Sequence, residues 1–136
     1  MNKYKQLQLR DKEAGGILIG RILIEDGNYI IDDVSEPMPA DKRTRTRFSR
    51  QPAGHQEYFD QVWENENGRC FYLGEWHTHP EGVPHPSSID RKDWERLLSE
   101  RFEPDYLFFI IVGIKAIRVW AGVKSTLTIN ELVRRG

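Results

Sequence analysis

The sequence predicts an α/β domain, a single mixed β-sheet flanked by helices. Three observations carry that prediction. Runs of β-branched residues recur along the chain, two stretches between them space their apolar residues as helices do, and one run, Tyr106 to Val112, is apolar without a break. The composition agrees: 136 residues, 38% hydrophobic and 30% charged, with a net charge of -1. A chain of this length buries about two-thirds of its unfolded surface, so residues 1–136 read as one domain that needs neither a disulfide nor a structural metal. Cys70 has no second cysteine to pair with. No apolar run reaches the roughly 18 residues of a membrane span, and the first ten residues lack the apolar stretch of a signal peptide. A cytoplasmic protein with no membrane partner is expected. The near-zero net charge argues against a dedicated nucleic-acid binder.

Residues 5 to 13 are polar apart from Leu7 and Leu9, and their spacing does not choose between a short helix and an irregular lead-in. Ile17 to Ile24, the turn Asp26-Gly27-Asn28 and Tyr29 to Val34 read as a β-hairpin. Pro37, Pro39 and Pro52 frame a segment that no helix or strand should cross. In it Lys42, Arg43, Arg45, Arg47 and Arg50 face Asp41 alone, which predicts an exposed, mobile basic loop. Phe59, Val62 and Trp63 give helical spacing from about Gly54 to Asn67, and Gly68 supplies a stop. Cys70 to His79 reads as a strand ended by Pro80. Ser87 and Ser88 are good N-caps for a second helix with Ile89, Trp94, Leu97 and Leu98 on its apolar face, ending near Phe102 to Pro104. Tyr106 to Val112 is a strand buried on both faces, and two further strands, near Ala116 to Ala121 and Leu127 to Leu132, complete the sheet.

His77-Thr78-His79 holds the chemistry. Side chains two apart on a strand share a face, so the two imidazoles can converge on one ion. Asp90 follows His79 by eleven residues, in the first turn of the second helix, and two imidazoles with one carboxylate suit Zn²⁺. Three protein ligands leave a position for water, as in catalytic sites, and zinc brings the pKa of such a water from about 15.7 to roughly 7. A base must then move the proton. Glu75, on the strand face of the two histidines, and Glu13, just before Gly15-Gly16, both qualify, and spacing alone does not choose between them. Ser87 could cap the helix, stabilise an oxyanion, or do both.

Glu13-Ala14-Gly15-Gly16-Ile17-Leu18-Ile19-Gly20, Gly74-Glu75-Trp76-His77-Thr78-His79-Pro80 and Pro86-Ser87-Ser88-Ile89-Asp90 together resemble the signature of the JAMM (MPN+) metalloproteases: a glutamate, a distant His-x-His-Pro and a Ser-x-x-Asp. The resemblance runs from about Glu13 to Val119. It implies the three-layer, cytidine-deaminase-like JAMM/MPN fold with one Zn²⁺ per chain on His77, His79 and Asp90, Glu13 as general base and Ser87 as oxyanion stabiliser. It also implies hydrolysis of isopeptide or peptide bonds after the tails of ubiquitin-like proteins. The wording around Glu75 to Glu81 and Trp94 is similar to the bacterial branch, in particular the small deconjugating peptidases of anti-phage CBASS operons. The implied partner is therefore a protein with an extended C-terminal tail, such as a conjugated cyclic-nucleotide synthase. Other readings remain: hydrolysis of another peptide or small amide, or a non-catalytic MPN binding module. Outside the motif, His85 is either a substrate contact or solvent-exposed, His55 is structural or on the surface, and Cys70 is a small buried hydrophobe. The basic loop is either a solvated insertion or a grip on substrate.

Overall fold

The computed structural model describes residues 1–8, 10–23, 25 and 27–133. Leu9, Ile24 and Asp26, which belong to the lead-in and hairpin expectations, lie outside the described residues. After a single 3₁₀ turn at Asn2–Tyr4 the lead-in is irregular up to the sheet. The β-branched runs become β1 (Gly15–Ile22) and β2 (Tyr29–Val34), paired antiparallel. Inside the segment framed by prolines, where no strand was expected, β3 (Lys42–Arg43) and β4 (Phe48–Ser49) pair as a small hairpin. The prolines lie outside its two strands, and distant parts of the chain satisfy its backbone groups, a contact that local patterning does not reveal.

Helix α1 (Pro52–Asn65) is regular only from His55. Ala53 and Gly54 are non-helical, and Gly54 has φ +85°, a conformation that favours glycine. The next strand is β5 (Phe71–Thr78), followed by α2 (Ser88–Ser99), β6 (Tyr106–Val112), β7 (Ile117–Val123) and β8 (Thr128–Leu132). Helix α2 stops short of the expected Phe102 because Glu100 turns extended, which frees Phe102 to pack on Tyr72 with ring centroids 4.6 Å apart. None of the described helices is long and apolar enough to cross a membrane.

The main sheet has six strands in the order β2-β1-β5-β6-β7-β8. Only β5 and β6 run parallel, and α2 makes the crossover between them. Trp94, Leu97 and Leu98 of α2 pack on Leu107, Phe109, Ile111 and Trp120. Ile17, Ile19 and Cys70 lie under Tyr58, Phe59 and Val62 of α1. A third cluster, around Leu18, Leu73, Trp76 and Ile110, is partly covered by Met1 and Tyr4.

One irregularity sets the direction of the site. The β1–β5 register passes from Leu18 opposite Gly74 to Ile19 opposite Tyr72, so Leu73 is an extra residue on β5. Gly74 has φ +135°, and a Cβ there would lie 1.7 Å from the Phe108 carbonyl oxygen. The bulge resets the alternation of side chains: Tyr72 and Glu75, three residues apart, meet on one face, where the Tyr72 hydroxyl donates to Glu75 at 2.6 Å.

Candidate metal centre

Beyond the bulge, His77 and His79 project to the same side of the β5 end, and the first turn of α2 comes up opposite them. Ser87 accepts from the Asp90 N–H at 3.1 Å and donates its own N–H to Asp90 Oδ2 at 2.8 Å, a reciprocal capping box that orients the carboxylate. His77 Nε2 and His79 Nε2 are 3.0 Å apart. Asp90 Oδ1 is 3.3 Å from the first and Oδ2 is 3.0 Å from the second. Donors at tetrahedral zinc, with bonds of 2.0–2.1 Å, stand about 3.3 Å from one another, so these three side chains already have the spacing of a cation site. The Glu13 carboxylate lies within 4.8 Å of both imidazoles.

Neighbouring groups fix these donors. Glu81 Oε1 is 2.9 Å from His79 Nδ1, which commits the other ring nitrogen to the site, as partners of metal-binding histidines do. The Trp94 ring lies 6.4 Å from the His77 ring and stacks on Phe109. Thr78, pointing to the other side of the strand, accepts from the Ala14 N–H at 2.9 Å and donates to Gln6 Oε1 at 3.0 Å, while its own N–H donates to the Ala14 carbonyl. That stitch holds the residue after Glu13 against the strand that carries both histidines.

The electrostatics are those of a site shaped for a cation. Burial pushes the Asp90 carboxyl up, but hydrogen bonds from His77 and His79 outweigh it and hold the group well below the usual carboxylate range. Burial pulls the His79 imidazolium down, yet the bond and charge of Asp90, helped by Glu81 and Glu13, raise its pKa to about 9. Burial lifts Glu13 to about 8, against the opposing pull of His79. A buried carboxyl beside the donor cluster is placed to exchange a proton with a group held there.

Every residue singled out by the motif converges here, Ser87 as the exposed helix cap. Glu75 does not join them. It is engaged by Tyr72 and by Arg50 Nε at 2.7 Å, on the floor of a groove of about 130 Å³ that runs between β4 and α2 to Asp90. His55 is fully buried and Cys70 is buried, whereas His85 is exposed. Sequence reasoning missed Glu81 as the partner of His79, although a carboxylate two residues after a candidate ligand was a readable signal. It also missed the Thr78–Gln6 stitch, which spans 72 residues and left no local trace.

Residues 4–123 match the family described as prokaryotic homologs of the JAB domain. Curated relatives include proteins named CD-NTase/cGAS isopeptidase from three bacteria. The Escherichia coli (strain TW11681) protein is 38% identical over 99% of this chain and 82% of its own length. The Pseudomonas aeruginosa protein is 38% identical over 86% and 73%. The Vibrio cholerae protein is 37% identical over 90% and 74%. Among solved structures, a Desulfitobacterium hafniense protein determined in solution superposes with a TM-score of 0.60 at 21% identity, covering 97% of this chain and 82% of that one, a likeness of fold.

Proposed function

The chain belongs to the family of prokaryotic JAB-domain homologues, and on that premise we propose that it is a zinc isopeptidase that releases a CD-NTase from proteins to which the synthase C-terminus has been joined. The convergence of His77, His79 and Asp90 at 3.0–3.3 Å carries the reading. These three side chains would hold the ion. Zinc bound there supplies a Lewis acid and makes water nucleophilic at neutral pH. Glu13 takes the proton from the attacking water and hands it to the departing lysine amine. Ser87 keeps a free O–H hydrogen while its oxygen caps α2, so it can donate to the carbonyl oxygen as negative charge develops there. Glu75 is the weaker candidate for the base because Arg50 and Tyr72 engage its carboxylate.

The substrate assignment follows the names of the curated relatives, CD-NTase/cGAS isopeptidases; we propose that the protein acts in the cytoplasm, in anti-phage defence. We propose that the substrate's extended C-terminal tail approaches along the groove lined by Arg47, Glu75, His77 and Asp90. On this reading residues 1–136 form one domain.

The test pairs metal content with cleavage of a CD-NTase whose C-terminus is joined to a reporter protein. Wild type and Glu13→Gln should each bind one equivalent of zinc, with cleavage lost only in the variant, and His77→Ala should lose both metal and cleavage. Full activity in Glu13→Gln would overturn the assignment of the base.

A further inference from the structure

The small hairpin β3–β4 sits in the segment expected to be a loose basic loop, and its contacts point inward. Glu13 lies beyond the β1–β5 ladder, whose first pair is Gly15 with His77. The hairpin takes up both of its backbone groups. The Glu13 N–H donates to the Thr44 carbonyl at 2.6 Å, and its carbonyl accepts from Arg43 Nε at 2.8 Å. The next residues are equally close, since a Cβ at Gly15 would lie 2.6 Å from the Phe48 ring.

A hairpin with two-residue strands does not hold its shape unaided. Its base is fixed by a buried relay. Asp41 Oδ1 accepts from the Gln51 N–H at 2.8 Å, closing the segment, while Oδ2 accepts from the Met38 N–H at 2.8 Å and from His55 Nε2 at 2.6 Å. With Nε2 donating to Asp41, His55 Nδ1 accepts from the Ser35 hydroxyl at 2.7 Å, and that oxygen in turn accepts from the Ile17 N–H of β1 at 2.8 Å. The Ser35 carbonyl accepts from the Trp76 indole at 2.8 Å, next to His77. Ser35, His55 and the Asp41 carboxylate have no exposed surface, so this Ser-His-Asp series meets no substrate. It joins the base of the hairpin to both strands that frame the metal centre.

Resting on the reading of Glu13 as the base, we infer that β3–β4 is the clamp that sets Glu13, with Arg43 as a positioning residue and the Asp41–His55–Ser35 relay as its anchor. The arginines of the segment thus divide. Arg43 holds Glu13, Arg45 donates to the Gln8 carbonyl at 2.7 Å, Arg50 holds Glu75, and Arg47 lines the groove. A catalytic group displaced by about 1 Å costs on the order of 100-fold in rate, so the clamp acts on turnover and Arg47 on substrate binding.

Two variants that remove the same charge from the same segment separate these roles. With the zinc-loaded protein and the CD-NTase–reporter fusion, Arg43→Ala should lower kcat by about tenfold or more with KM within about twofold. Arg47→Ala should raise KM with kcat within about twofold. Asp41→Asn, if thermal denaturation shows it folded, should repeat the Arg43→Ala pattern at unchanged zinc content; if it does not fold, Arg43→Ala decides alone. A rise in KM alone for both arginine variants would make the hairpin a substrate grip and overturn the clamp, as would unchanged kinetics for Arg43→Ala. Glu13→Gln measured alongside keeps the failures apart. If it stays active, the assignment of the base falls; if it is inactive while Arg43→Ala is normal, only the clamp falls.

Discussion

His79 stands among three carboxylates, with Asp90 on Nε2 at 3.0 Å, Glu81 on Nδ1 at 2.9 Å and Glu13 close by. Burial alone would lower its pKa, but these neighbours carry it to about 9, so the metal-free imidazole is protonated at neutral pH. A cation can use Nε2 only after that proton leaves. Metal affinity should therefore strengthen as pH rises towards about 9. Calorimetric titration with Zn²⁺ at pH 7, in two buffers of different ionisation enthalpy, should show at least one proton released per ion. Heats that do not depend on the buffer would contradict this picture of His79. The site's donors were legible because His77, His79 and Asp90 follow the rules of strand and helix-cap geometry. Spacing alone left Glu13 and Glu75 open as the base and the family resemblance implied Glu13; the contacts that engage Glu75, from Arg50 and Tyr72 at 25 and 3 positions away, left no such trace in the sequence.

Strand β5 works as an element because its bulge turns Glu75, His77 and His79 towards α2. At that bulge Gly74 leaves no room for a side chain: its φ is +135°, and the Phe108 carbonyl oxygen stands 1.7 Å from the place a Cβ would take. Gly74→Ala should therefore destabilise the fold by about 3 kcal/mol or more and, in whatever fraction stays folded, loosen the metal. Urea denaturation measures the first effect, and a loss below about 1 kcal/mol would show that β5 tolerates a different register. Where one element answers to its own residues, the sequence foretold it closely: Tyr106 to Val112 forms β6 with both ends as read. Where an element depends on remote partners, it did not. The hairpin β3–β4 exists through Glu13, Gln6 and the buried Asp41, none of which leaves a period or a turn signal in the segment itself.

On the scale of the whole molecule, apolar clusters pack both faces of the sheet with no help from the donor cluster. Trp94, Phe109 and Trp120 anchor one of them, and Leu18, Leu73 and Trp76 another. The α/β class was readable from composition and periodicity for the same reason: the core is made of the residues that write those patterns. Stripping the ion with a chelator should consequently leave the far-UV circular dichroism at 25 °C unchanged while lowering Tm, since a bound ligand adds only the free energy of its own binding. A chelated sample with the spectrum of an unfolded chain would show that the ion is structural.

Trp94 joins the two regions that this experiment separates, as its ring lies flat on Phe109 at 4.8 Å and reaches to 6.4 Å from the ring of His77. The protein therefore has a built-in fluorophore at the border between its core and its reactive centre. Its emission would register a quenching ion such as Cu²⁺ placed among the histidines, without any label attached.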